Sequence, residues 1–125
     1  MRRLMMALVV LFALPAASQE KEVAVSDASM AVGVMSTVTE TEVRHLHFMS
    51  SGAVLFHTTT ARTDVPACAA GQTTRWAIDA NTAAGKAQLA GLLAAHATGK
   101  KMSVFGTNTC TIWADTESVS YLLMR

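Results

Sequence analysis

Alternating apolar and polar residues, rich in β-branched side chains, run through most of the chain from Met30 onward. This period of two is typical of strands that bury one face. A glycine and a Thr/Glu run indicate a bulge or bend inside one long first strand that continues through residues 43–49. Ser50-Ser51-Gly52 follows as a turn signal. The pattern predicts five strands, over residues 30–49, 53–63, 74–79, 101–106 and 117–125.

The period changes between the third and fourth predicted strands. Apolar side chains spaced i, i+3, i+4, i+7 predict one amphipathic helix in the alanine-rich residues 81–101, with a stripe of Leu89, Leu92, Leu93 and His96. Asn81 or Thr82 is expected to cap its start, because either side chain accepts a hydrogen bond from a free backbone N–H. Gly99 is expected to end it in the left-handed conformation.

The resulting order, β-β-β-α-β-β, is that of an OB-fold. We therefore predict a mainly β, α+β domain: a five-stranded, OB-fold-like barrel whose helix closes one end. A small mixed α+β sandwich with the same elements is the alternative. The predicted domain covers residues 30–125, after a loose polar leader over residues 19–29.

The first residues read as a secretory signal peptide over residues 1–18. Arg2 and Arg3 precede an eleven-residue apolar run, Pro15 follows it, and Ala16 and Ser18 precede the cut. A membrane-spanning helix needs about 20 residues, so this run predicts no stable span after cleavage. A buried N-terminal helix is the alternative. Export predicts a secreted or periplasmic protein.

Composition narrows the class of protein. With 51% hydrophobic and 15% charged residues, the chain is too apolar for intrinsic disorder, and its 125 residues allow one ordinary domain. Loss of Arg2 and Arg3 with the signal would take the formal net charge from +1 to −1. That charge and the predicted export argue against a nucleic-acid partner.

Cys68 and Cys110 are the chain's two cysteines. In an exported protein they predict a disulfide that joins the loop before the third strand to the loop between the fourth and fifth. A catalytic thiol or a metal-binding pair is the alternative.

Histidines suggest a second kind of site. His45 and His47 share one predicted strand face, and His57 could face them across a hairpin. Three imidazoles would suit zinc or copper. The alternative is that all three are half-exposed strand residues, and no cofactor is expected in the main interpretation. His96 is interpreted as a histidine at the helix C-terminus, where the helix dipole favours positively charged side chains.

Aromatic residues supply candidate ligand contacts. Trp113 lies in a predicted loop, where it could stack on a sugar or aromatic ligand or simply cover the disulfide, and Trp76 and Arg75 complete the candidate set. Asp115 and Glu117 are paired carboxylates that we assign to a turn and a strand start. The chain has no GxSxG, HExxH, P-loop or Rossmann motif, so we predict no catalytic residues and no enzyme activity.

Several elements of the C-terminal half carry a resemblance: Ala97-Thr98-Gly99-Lys100, the strand residues 104–106, Cys110 and Trp113. This half resembles small exported bacterial OB-fold proteins similar to the B subunits of subtilase-type AB5 toxins. The resemblance implies pentamers that bind sialylated glycans, although no sugar-contacting residue can be matched in this chain. We therefore predict an exported binding module, able to form a homo-oligomer, for a glycan or a partner protein. A periplasmic metal-binding protein using His45, His47 and His57 is the alternative.

Overall fold

The computed structural model describes residues 34–125 as a mainly β structure with one helix. The predicted signal peptide, the leader and residues 30–33 of the predicted domain lie outside the described residues. A short 3-10 turn precedes the fourth strand. The elements are β1 (Thr37–Thr41), β2 (Val43–Phe48), β3 (Ala53–Thr58), the 3-10 turn (Ala67–Ala69), β4 (Arg75–Asp79), α1 (Ala83–Thr98), β5 (Met102–Gly106) and β6 (Glu117–Met124).

The strands form one sheet in the order β1-β5-β6-β4-β3-β2. Neighbouring strands are antiparallel, except that β4 and β6 are parallel. The predicted closed barrel of five strands is not confirmed, because the sheet has six strands with β1 and β2 at its edges. The sixth strand arises because the long first strand is divided at Glu42. Just before that break, Glu40 adopts a φ of 50° and the register of β1 on β5 shifts.

The core lies between the inner face of the sheet and α1. Phe56 on β3 pairs with Trp76 on β4, and both side chains are fully buried. Leu92 and Ala95 contribute the buried face of α1. The buried apolar cluster comprises Val38, Val43, Val54, Phe56, Trp76, Ile78, Leu92, Ala95, Met102, Val104 and Val119.

The residues predicted to begin and end α1 are confirmed. The Thr82 side chain caps the helix by accepting a hydrogen bond from the backbone N–H of Gly85, and Gly99 ends it with a φ of 67°. The predicted apolar stripe is partly wrong, because Leu93 is 43% exposed and Ala95 takes the buried position instead. His96 is exposed, and its Nδ1 donates to the carbonyl oxygen of Val43 at 3.1 Å.

The last strand changes face along its length. Between β5 and β6 the pairing moves from Gly106–Val119 to Phe105–Tyr121, which makes Ser120 an extra residue. A bulge of this kind reverses the alternation beyond it. The strict alternation that the sequence pattern predicts for this strand would place Val119, Tyr121 and Leu123 on one face, and this is wrong. Val119 is buried, whereas Tyr121 and Leu123 are exposed, and Leu122 packs against the core instead.

A buried ion pair crosses the interior. Arg62 donates from Nη1 to Glu117 Oε2 at 2.8 Å, and both side chains are fully buried. The guanidinium carbon lies 3.9 Å from the ring centre of Trp76, in cation–π contact. Burial lowers the pKa of Arg62, and the hydrogen bond and charge of Glu117 act in the opposite direction.

Hydrogen bonds satisfy the remaining polar atoms of this pair. Arg62 also donates to the backbone carbonyls of Gln72, Thr73 and Arg75. Glu117 accepts from the Ser36 hydroxyl and, at 2.8 Å, from the backbone N–H of Asn108. A side chain at Gly106 would overlap this carboxylate, since an added Cβ would lie 2.0 Å from Glu117 Oε1. The pair is thus enclosed by backbone and hydroxyl partners, as a buried charge requires. The residues that take part in the hydrogen bonds of this ion pair are Ser36, Arg62, Gln72, Thr73, Arg75, Asn108 and Glu117.

The predicted disulfide is confirmed. Cys68 and Cys110 are bonded, with their Cα atoms 6.2 Å apart. The bond joins the segment before β4 to the loop between β5 and β6, as expected. Within residues 34–125, no helix combines the length and apolar character needed to cross a membrane.

Candidate functional site

The side of β3 and β4 that faces away from the core forms what we call the outer face. Residues directly opposite each other in a ladder share a face of the sheet. Since Val54, Phe56, Trp76 and Ile78 point into the core, their neighbours along the strands point outward. The outer face therefore consists of Ala53, Leu55 and His57 on β3, opposite Asp79, Ala77 and Arg75 on β4.

The β5–β6 loop, residues 107–116, lies against this outer face. Leu55 and Ala77 are buried although they point away from the core. Arg75 holds the loop through an ion pair with Asp115 and a 2.8 Å hydrogen bond from its Nε to Thr116 Oγ1. The hydrogen bond from Arg75 is also the main reason why the pKa of Asp115 is lowered. The disulfide at Cys110 fixes the same loop covalently.

A polar cleft of about 360 Å³ opens at one end of the outer face, where the β5–β6 loop meets the end of β4 and the β2–β3 turn. Ligand pockets typically measure about 300–1,000 Å³, so this volume suits one small ligand or one ring of a larger one. The cleft is lined by Ser51, Ala53, Asp79, Asn81, Thr111 and Ile112.

Hydrogen bonds fix the acidic end of the polar cleft. Asp79 Oδ1 accepts from both the backbone N–H and the side-chain Nδ2 of Asn81, each at 2.9 Å. Asn81 Nδ2 also donates to the carbonyl oxygen of Ser51 at 2.8 Å. Gly52 allows this close approach, because a Cβ there would lie 2.3 Å from Asn81 Nδ2 and its φ is +88°. Asp79 Oδ2 and Asn81 Oδ1 make no hydrogen bond within the described part of the chain, so they remain available as acceptors.

Three histidines, His45, His47 and His57, form what we call the imidazole cluster toward the other end of β3. The centre of the His57 ring lies 5.9 Å from that of His45 and 5.8 Å from that of His47. The hairpin thus brings together the three side chains that sequence reasoning singled out for metal binding. His45 and His47 are exposed, and His57 is half-buried.

A bulge in β2 produces this arrangement. The pairing moves from Arg44–His57 to Leu46–Phe56, which leaves His45 as the extra residue with a φ of 43°. A regular strand would send His45 and His47 to the same face as the buried Val43. The bulge instead lets Val43 point into the core while the two imidazoles lie beside His57.

Burial and neighbouring positive charge disfavour protonation of the central ring of the cluster. The pKa of His57 is lowered below its usual value, first by burial and then by the positive charges of His47, Arg75 and His45. Its Nδ1 is 3.2 Å from the Thr74 hydroxyl. In the conformation described for residues 34–125, no three His, Cys, Asp or Glu side chains are arranged to hold a metal ion.

The predicted aromatic contacts are dispersed. Trp76 is fully buried beneath Arg62, and its Nε1 lies 3.4 Å from Thr58 Oγ1, so it offers no ring face to a ligand. Arg75 is committed to the β5–β6 loop. Trp113 is half-buried in that loop, directly after the cleft residue Ile112. None of the three predicted ligand-binding residues is among those that line the polar cleft, and Trp113 is the one that directly follows a lining residue.

Sequence reasoning missed the polar cleft. The sequence pattern predicts Ser51 as part of a turn and Asn81 as a helix cap, and it predicts no ligand-binding role for Asp79 or Thr111. No spacing marks these residues as a group, since they come from three distant segments. A weak signal was available in Asp79 and Asn81, which are two residues apart at the end of an alternating strand.

A second groove, of about 400 Å³ and mostly apolar, lies between α1 and β6 on another side of the molecule. Gln88 and Tyr121 are among its lining residues. We call it the α1–β6 groove.

Comparison with known proteins adds no relative: no protein-family model, no curated protein and no solved structure matches this chain. The resemblance to toxin B subunits, with the pentamer and sialylated glycans that it implies, stays a prediction.

Proposed function

We propose that this protein is an exported, non-enzymatic binding module that recognises a neutral saccharide in the polar cleft. The observation that carries the proposal is the pair of free acceptors, Asp79 Oδ2 and Asn81 Oδ1, in a cleft of saccharide size. Sugar hydroxyls are donors that match such acceptors, and hydrogen bonds to a charged carboxylate are stronger than neutral ones.

The charge of the polar cleft favours a neutral ligand. Asp79 contributes a carboxylate, and the residues that line the cleft include no lysine or arginine. A sialylated or other anionic sugar would be repelled by this carboxylate, since like charges in a partly desolvated cleft are costly. The proposal therefore departs from the sialylated ligand that the resemblance implies.

We propose that Trp113, beside the cleft in sequence, packs against a sugar bound there. It follows the cleft residue Ile112 in a loop that is held by Arg75 and by the disulfide at Cys110. An aromatic ring offers a C–H-rich sugar face a large contact area at low entropic cost. A protein partner would use the same outer face, but the small size of the cleft favours a saccharide.

Export and a barrel-like closure belong to the same proposal. The signal-like residues 1–18 and the disulfide together support passage into an oxidising compartment.

The edge strands β1 and β2 are consecutive in the chain, which supports an OB-fold-like barrel. Hydrogen bonds join the segment after β3 to Thr37 of β1 (Thr63 N to Thr37 O, 2.9 Å) and to Glu42 between β1 and β2 (Thr59 N to Glu42 O, 3.1 Å).

Binding of the oxidised protein to an array of neutral and sialylated oligosaccharides tests this function. We expect binding to neutral members. Asp79→Asn keeps the acceptor for Asn81 and removes the second carboxylate oxygen, so it should weaken binding by about tenfold or more. Asp64→Asn is the matched control, because it makes the same chemical change on an exposed loop. Binding to sialylated members alone, no binding, or equal effects of both variants would contradict the proposal.

A further inference from the structure

We propose that the imidazole cluster is a second binding site, for one Zn²⁺ or Cu²⁺ ion held by His45, His47 and His57. This site goes beyond the proposed saccharide function, because it uses different residues. The polar cleft begins beside Ala53, at the start of β3, whereas His57 lies near the end of the same strand.

The spacing of the rings is close to what one metal ion requires. Zinc–nitrogen bonds of about 2.0–2.1 Å in a tetrahedral site place the centres of two imidazole rings about 5 Å apart. The observed separations from His57 are 5.9 Å to His45 and 5.8 Å to His47. The His57 ring and each of the other two must therefore approach by about 1 Å, and we propose that the exposed His45 and His47 side chains change rotamer to close around the ion. In this proposal, the three imidazole rings reach their metal-binding positions only when the ion binds.

His57 is the natural anchor of such a site. It is half-buried, and its Nδ1 is engaged by the Thr74 hydroxyl at 3.2 Å. Metal-bound histidines usually have their second ring nitrogen fixed in this way, which sets the tautomer and the ring orientation. Nε2 of His57 is then the nitrogen left for the metal.

The backbone also presents the other two rings. His45 occupies the bulge, with a φ of 43°, and His47 lies two residues further along β2. A non-glycine residue in this conformation is uncommon, and bulges often redirect a side chain near a site. Here the redirected side chain is an imidazole that would otherwise share the face of the buried Val43.

Neighbouring charges select the kind of ion. Arg44 and Arg75 lie opposite His57 on the two adjacent strands, and Asp115 pairs with Arg75 rather than with the histidines. This positive surrounding disfavours Mg²⁺ and Ca²⁺, which rely on oxygen ligands and negative charge. Zn²⁺ and Cu²⁺ form strong bonds to neutral imidazole nitrogen.

Calorimetric titration of the full chain with ZnCl₂ and with CuCl₂, at about pH 7.5 where free histidine is neutral, tests the proposal. We expect one ion per chain for each metal and no heat with MgCl₂. His57→Gln should weaken binding by about tenfold or more, since losing a ligand costs at least as much as losing an outer-shell partner. His96→Gln is the matched control, because this histidine lies on α1, and it should leave the affinity unchanged.

Histidine ring signals in the NMR spectrum of the unmodified protein keep the test decisive if a variant fails to fold. The chain has four histidines. Added Zn²⁺ should shift the signals of His45, His47 and His57 and leave that of His96 in place. Absence of binding by both ions, or equal losses for His57→Gln and His96→Gln, would overturn the proposal. Asp79→Asn should leave metal affinity unchanged, so failure of the saccharide site and failure of the metal site are distinguishable.

Discussion

Two ion pairs of similar chemistry have opposite surroundings. In Arg62–Glu117 both side chains are 0% exposed, whereas in Arg75–Asp115 the exposed fractions are 18% and 59%. The buried pair is enclosed by backbone partners, and its arginine lies over the buried ring of Trp76. The exposed pair holds the β5–β6 loop against the outer face. The comparison indicates that burial, rather than the identity of the ions, decides whether a pair supports the core or positions a surface loop.

Breaking the buried pair should have the largest effect. Glu117→Gln leaves the Arg62 guanidinium buried without its counter-ion, which typically costs about 3–5 kcal/mol of unfolding free energy. Urea denaturation followed by fluorescence of the buried Trp76 measures it. As a control, Arg62→Met combined with Glu117→Leu should recover part of the loss, because no charge is then left unpaired. A loss below about 1 kcal/mol for Glu117→Gln, the size expected of a surface pair, would contradict the contrast.

Removing the disulfide should cause the second-largest loss of stability. The bond joins two cysteines with a sequence separation of 42. Like the exposed Arg75–Asp115 pair, it holds the β5–β6 loop, but it does so covalently. The double variant Cys68→Ser, Cys110→Ser should lose about 2–5 kcal/mol relative to the oxidised protein. Thermal melting with and without reductant measures the effect. The unmodified protein should lose stability on reduction and the double variant should not; unchanged melting of both would refute the prediction.

Breaking the exposed pair should affect the loop more than the fold. Asp115→Asn should leave the melting temperature nearly unchanged and speed hydrogen exchange of amides in the β5–β6 loop several-fold. Acid should act in the same direction. Because Arg75 lowers the pKa of Asp115, the pair's contribution is complete above the unfolded pKa of about 3.9 and is lost as pH falls through the lower folded value. Equal exchange rates in both proteins would show that the disulfide alone holds the loop.

The smallest effect concerns His57, which lies opposite the exposed pair's arginine. Its folded pKa is lowered, so the unfolded chain binds a proton first as pH falls below about 6.5. Stability should therefore decrease slightly from about pH 6.5 down to the folded pKa. NMR titration should find the His57 ring protonating at a lower pH than a free histidine. His57→Gln should remove that part of the pH dependence, and a His57 pKa above the free value would reverse the sign.

Short-range signals explain what could be predicted of the fold. The turn at residues 50–52, the Thr82 cap, the Gly99 stop and the alternation in β3 and β4 each depend on a few neighbouring residues. The Thr/Glu run also indicated the irregularity near Glu40 that divides the first strand. The bulge that exchanges the faces of Tyr121 and Leu122 could not be predicted in this way, because it depends on pairing with a distant strand. Arg62 was missed because its carboxylate partner lies 55 residues away.

The two candidate sites also differ in how far apart in sequence their residues lie. The imidazole cluster lies within one hairpin, so the turn was enough to predict that His57 comes near His45 and His47, although the bulge at His45 sets the face on which the rings lie. The polar cleft unites the β2–β3 turn, the end of β4 and the β5–β6 loop. Its assembly depends on the strand order and on the disulfide, which place Thr111 beside Asp79.

Mapping of a bound saccharide by NMR tests the central claim, that the polar cleft on the outer face is a ligand site. The protein labelled with ¹⁵N would be titrated with the neutral oligosaccharide that binds best on the array. We predict that the backbone amide signals of Ser51, Asn81 and Thr111 move together, while that of Gln88 in the α1–β6 groove stays in place. Shifts confined to the α1–β6 groove, or none at saturating saccharide, would contradict the claim.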